Sequence, residues 1–133
     1  MQQLCKKFGK KIIFEEKEFF LFPEPKTLAK ATRSDLQNCS LGYRAKSVSE
    51  ASFAVTTGQI NFDFLKKTSY QNAKDILLDV NGIGNKVADC ILLFSLEKLD
   101  AFPIDRWVLK ILDKYYSAYN IQFVLGFAKI KDD

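Results

Sequence analysis

The strongest constraint in this chain is the stretch Val80-Asn81-Gly82-Ile83-Gly84-Asn85-Lys86, in which two glycines flank one apolar residue between two runs of helical periodicity. Glycine at such a junction permits positive φ and lets another backbone approach closely. A helix starting just beyond it leaves its first N–H groups without intrahelical partners. Together with those of Gly82 and Gly84, they would point outward as a ready phosphate receptor. On these residues alone two readings stand level: a phosphate-binding hairpin, or a tight helix–helix connection with no ligand.

The surroundings are helical. Residues 1–9 have a helical rhythm running into Gly9, and read as the last turns of a helix begun upstream, so the start is expected to be a truncation. Residues 12–22 are aromatic and acidic and end in Phe-Pro-Glu-Pro, which breaks any continuous helix and makes this a connector. Short helices are predicted over 27–31, over 34–39 with Ser34 as N-cap, over 43–57 and over 61–66. Ser69 caps the next helix, whose Ala73, Ile76, Leu77 and Val80 form an apolar stripe at helical spacing. Helical periodicity continues over 85–96 and 106–116 and more weakly over 121–130, with no internal repeat. The predicted fold class is all-α.

Composition narrows the function classes. The chain has 133 residues, 47% of them hydrophobic, which suits one domain spanning 1–133. It has no histidine, and Cys5, Cys39 and Cys90 lack the short spacings of a zinc site or a four-cysteine cluster, so no metal and no cofactor are expected. An odd cysteine count fits a reducing, intracellular location, and no apolar run approaches the ~20 residues of a membrane span. The net charge of +4 permits a phosphate-bearing partner without requiring one.

Two stretches together resemble a known family. The string NGIGNKVADCILLFSLEKLDAFPID resembles the helix-hairpin-helix, Gly/Pro-rich, aspartate signature of base-excision DNA glycosylases, most closely the 8-oxoguanine glycosylase/lyase branch. The second, LGYRAKSVSEAS, is similar to the same branch and stands in the right order. The resemblance implies a partial helix-hairpin-helix glycosylase fold, with the hairpin at about 80–86, the family's N-terminal portion absent and residues 117–133 unassigned. It implies that Lys86 attacks the anomeric carbon of a damaged nucleotide, expels the base and forms a Schiff base that undergoes β-elimination.

That chemistry needs an unprotonated amine, for which the positive end of the helix and desolvation by Val87 and Ile83 would help. Read without the resemblance, Lys86 is a solvated surface lysine. Asp105 follows Lys86 by 19 residues, which matches the family spacing, and would stabilise the oxocarbenium-like charge. Its alternative role, N-cap of the helix over 106–116, is compatible with catalysis. The competing acid, Asp89, is three residues from Lys86 and could be its intrahelical ion-pair partner.

In the resembled branch a cysteine at the position of Cys90 packs on the flipped oxidised guanine; the plain alternative is a small core cysteine. Tyr43 and Arg44 match the pair that fills the vacated stack and contacts the orphaned cytosine, where otherwise they read as a half-buried tyrosine and a surface arginine. Gly82, Gly84 and Val87 would meet the DNA backbone. The implied partner is double-stranded DNA carrying an oxidised base or an abasic site, bound by a monomer. Departures are Asn81 where proline is common and Trp107 where a phosphate-contacting histidine is found. Gln122, Phe123 and Phe127 are chemically suited to the base pocket but do not align. Two alternatives stand: an endonuclease-III-like pyrimidine glycosylase, and a truncated remnant that binds DNA without cutting it.

Overall fold

The computed structural model describes residues 1–116. Its elements in chain order are α1 (Gln2–Phe8), β1 (Lys11–Phe14), β2 (Lys17–Phe20), α2 (Pro25–Lys30), α3 (Arg33–Leu36), a π-turn (Gln37–Leu41), α4 (Arg44–Thr56), α5 (Phe62–Lys67), α6 (Tyr70–Leu78), α7 (Asn85–Leu96) and α8 (Arg106–Tyr116). The helical class predicted from periodicity holds. The connector over 12–22 is more regular than expected, an antiparallel hairpin pairing Lys11 with Phe20 and Phe14 with Lys17. Glu15 and Glu16 turn it at φ 47° and 61°, the two positive-φ residues of a two-residue hairpin turn, where glycine or asparagine is the usual signal.

Local capping chemistry sets most helix starts. Asn61 and Ser69 accept from the backbone N–H of Phe64 and Asn72 and so open α5 and α6. The expected Ser34 cap is corrected: Thr32 accepts from Asp35 N instead and starts α3 one residue earlier, because its extended backbone aims the hydroxyl at the orphan amide. The predicted helix over 121–130 lies outside the described residues.

α4 ties the fold together. Near its start Ala45 joins Leu4, Leu28, Leu36 and Cys39 in one apolar cluster. Near its end Ala54 joins a second, with Leu65, Ala73, Leu77, Val80, Ala88, Leu92 and Leu96. The stripe predicted for α6 supplies Ala73, Leu77 and Val80 to this core, with Ile76 packed at its margin. Ala73 and Ala88 let α6 and α7 approach, and the leucines fill the space around them.

α7 ends by reversing. Glu97 adopts the left-handed conformation, φ 57° and ψ 30°, and Lys98 N donates back to Leu92 O at 2.9 Å, a Schellman-type stop. Lys98 Nζ then donates to Lys66 O at 2.9 Å and to Thr68 O, closing the carbonyl end of α5. A left-handed glutamate is strained where glycine is not. Glu97→Gly is therefore expected to raise stability by about 0.5–1 kcal/mol in urea unfolding, the exposed Lys66–Glu97 contact offsetting only tenths.

Candidate active site

The hairpin between α6 and α7 closes with Ile83 N donating to Val80 O at 3.0 Å. Its two glycines are not equivalent. Gly82 sits at φ +92°, and a Cβ built there would lie 2.2 Å from Ser47 Oγ and 2.4 Å from Ser47 Cβ, so the turn is seated directly on α4. Gly84 has ordinary backbone, φ −92°, with nothing within 4 Å of a built Cβ. The expected positive φ belongs to Gly82 alone.

The contact with Ser47 brings the two sequence stretches together. Tyr43 and Arg44 open α4 one turn before Ser47, and Lys86 is the second residue of α7, four residues beyond Gly82. Along their own backbones both lie within about 15 Å of that contact. Tyr43 is 80% exposed, with the Arg44 guanidinium over its ring at 4.8 Å. Ser47 lies inside the LGYRAKSVSEAS stretch, but the sequence reading gave it no role; its small side chain fits against a glycine.

α7 begins with no side-chain cap, so the amides of its first turn are open to a ligand. Lys86 is exposed and, among the described residues, makes no hydrogen bond or ion pair. The expected desolvation by Val87 does not appear, because Val87 points outward at 42% exposure, while Ile83 turns towards the core. Cys90, one turn along from Lys86, is half-buried and outside both apolar clusters; the core cysteine is Cys39. Trp107 is exposed, with Lys110 Nζ over its ring at 4.9 Å.

Asp105 takes the capping role. Its Oδ1 accepts from Trp107 N and Val108 N, each at 2.9 Å, which holds the carboxylate at the N-terminus of α8. Its Oδ2 has no partner among the described residues, and no hydrogen bond or ion pair joins it to Lys86. The connection from α7 to α8 folds back: Ala101 is buried in the same cluster as Ala88, Leu92 and Leu96.

Asp89 is not the partner of Lys86, correcting that expectation. It turns into the interface with α6, where Oδ1 accepts from the Tyr70 hydroxyl at 2.8 Å and Oδ2 from Lys74 Nζ at 3.0 Å. Burial works against the Lys74 charge, but hydrogen bonds with Tyr70 and Asp89 outweigh it and hold the amine above its ordinary range. Burial, assisted by Asp89, likewise raises the Tyr70 hydroxyl against the opposing Lys74 bond.

Both groups keep their protons to higher pH when folded than when unfolded. Their contribution is therefore complete below the unfolded values, near pH 10, and is lost as pH rises through the folded ones. Thermal unfolding of the wild type should accordingly fall more steeply above about pH 10 than that of Asp89→Asn.

A cleft of about 310 Å³ opens beside the hairpin, between Ser49, Glu50, Phe53, Asp79, Val80 and Asn81. It excludes Lys86 and Asp105, and its two carboxylates repel phosphate. Among the described residues no three His, Cys, Asp or Glu side chains gather as a metal site requires, and no helix is long and apolar enough to cross a membrane.

No protein-family model matches the chain. It is 36% identical over 87 residues to a probable N-glycosylase/DNA lyase of Methanothermobacter thermautotrophicus, an overlap of 65% of this chain and 28% of the relative. The apo 8-oxoguanine glycosylase/lyase of Clostridium acetobutylicum has a TM-score of 0.85 and 32% identity over 95% of this chain and 45% of its own. The same enzyme in complex with dsDNA containing cytosine opposite 8-oxoG has a TM-score of 0.82 and 33% identity over 90% and 41%. The chain thus spans less than half of each of these proteins. Over the part of the fold it spans, it belongs to the 8-oxoguanine glycosylase/lyase branch of the helix-hairpin-helix DNA glycosylases.

Proposed function

We propose that this chain binds double-stranded DNA as a monomer and acts as an N-glycosylase and abasic-site lyase on oxidised guanine, with Lys86 as nucleophile and Asp105 as its carboxylate partner. The observation that carries the reading is the exposed amine of Lys86, without a partner among the described residues, in the first turn of an α7 that has no side-chain cap, directly after a hairpin seated on the helix that presents Tyr43 and Arg44.

In this reading the open amides of Gly82, Gly84 and the first turn of α7, flanked by Val87, receive a backbone phosphate. Tyr43 fills the gap left by the extruded nucleotide, Arg44 donates to the unpaired cytosine, and Cys90 borders the damaged base. The Lys86 nitrogen forms a bond to the anomeric carbon while the bond to the base breaks, and the base leaves with that electron pair and takes up a proton. After one proton leaves the nitrogen, its lone pair breaks the C1′–O4′ bond, O4′ taking up a proton, to give the protonated Schiff base, and removal of the C2′ proton then expels the 3′ phosphate. The negative Asp105 stabilises the positive sugar, and its capping bonds hold it still at no reorganisation cost.

The test is to incubate the purified chain with duplexes carrying 8-oxoguanine opposite cytosine, an oxidised pyrimidine, or an abasic site, with borohydride present. The expected result is a covalent adduct and strand scission on the first and third. Preference for the oxidised pyrimidine would favour an endonuclease-III-like specificity. The exposure of Lys86 and Val87 favours a second reading, DNA binding without cutting, which predicts salt-sensitive binding with no scission on any duplex.

A further inference from the structure

α7 carries one cation and one anion, Lys86 and Asp89. Three residues apart on a helix, such a pair lies within ion-pairing reach, and on an open surface it would form. Here it does not. Both Asp89 oxygens are engaged across the interface by Tyr70 and Lys74, and Lys74 Nζ also donates to the Tyr70 oxygen at 2.8 Å, closing a three-membered ring of contacts. The Lys74 and Asp89 side chains are only 14% and 8% exposed, whereas Lys86 is exposed and has no partner among the described residues.

We infer that Tyr70 and Lys74 are positioning residues that hold Asp89 away from Lys86, so that the amine opening α7 stays free for attack. This rests on Lys86 being the nucleophile. A carboxylate paired with that amine would favour the ammonium form and occupy its nitrogen, and both effects oppose nucleophilic attack. Asp89 has a buried alternative that satisfies both of its oxygens, and a buried carboxylate stays with partners of that kind because leaving one unpaired is costly.

The other charges packed around α7 do not substitute. On α6, Asp75 accepts from Gln71 at 2.9 Å. On α5, Asp63 and Lys67 are exposed, and Lys66 faces Glu97 at 3.4 Å, just past the far end of α7. Released from Lys74, the Asp89 carboxylate has one cation on its own helix, Lys86.

The test reads the amine directly, on the intact chain without DNA. Pulses of acetic anhydride at mildly alkaline pH, followed by peptide mass spectrometry, report how much Lys86 amine is unprotonated and open. Lys74→Met should lower Lys86 labelling by about threefold or more, and adding Asp89→Asn to that variant should restore it. Asp89→Asn alone should leave the labelling as in wild type. Circular dichroism confirms folding, and Tyr70→Phe repeats the comparison with a smaller perturbation. Unchanged labelling in folded Lys74→Met and Tyr70→Phe overturns the inference, as does a fall that Asp89→Asn fails to reverse. The Lys86-dependent borohydride adduct on abasic DNA judges the nucleophile separately, so an intact adduct with unresponsive labelling discards the positioning role alone.

Discussion

Lys86→Gln is expected to lose the borohydride-trapped adduct with abasic DNA completely, at least about a thousandfold below wild type, with the fold unaffected. Glutamine has no amine to form the Schiff base, and Lys86 makes no hydrogen bond or ion pair among the described residues, so its removal disturbs no such contact. Circular dichroism and thermal unfolding should therefore overlay those of wild type. An adduct surviving in the variant would move the nucleophile elsewhere.

Asp105→Asn separates the two roles of that carboxylate. Asparagine caps a helix about as well as aspartate, so stability should change by less than about 0.5 kcal/mol. The negative charge is lost, however, and single-turnover excision should slow by about a hundredfold. Slowed excision with unchanged stability assigns the charge to catalysis. Equal excision rates would leave Asp105 as a cap only.

Gly82→Ala is expected to cost about 2–4 kcal/mol of stability, and Gly84→Ala less than about 0.5 kcal/mol. The added methyl at Gly82 meets Ser47 at 2.2 Å in a backbone conformation, φ +92°, that alanine resists. Either Ser47 and α4 move away or the hairpin opens. Ser47→Gly in the same chain should recover only part of the loss, because Ser47 Cα lies 3.3 Å from the built Cβ and the φ strain remains. At Gly84 a methyl finds open space, so any effect should appear in DNA affinity rather than in folding. Urea unfolding of the two variants, alongside DNA titrations, reads both effects.

Much of this protein was legible along the chain because the forces concerned act within one helical turn. Asn61 and Ser69 cap where a side-chain oxygen three residues before an orphan amide must cap, and the stripe on α6 faces the core because 3.6-residue periodicity leaves it no other face. The limits of α7 and the start of α8 agreed with their apolar rhythm for the same reason. The hairpin at Lys11–Phe20 was less legible, because Glu15 and Glu16 are poor turn residues and only strand pairing holds them at positive φ.

At the candidate site, residue identities and chain order pointed to Lys86 and Asp105 as candidates and located the glycine turn and the capping role of Asp105. Tertiary packing alone decided that Gly82 rather than Gly84 carries the strained turn, that Ser47 is its seat, that Val87 faces outward, and that Asp89 turns from Lys86 to Tyr70 and Lys74. Caps and periodicity are contests between neighbours a few residues apart, settled by the backbone they share. The direction in which a side chain at a helix start turns depends on which other helix fills the space beside it, and that is set by core packing between segments far apart in the chain.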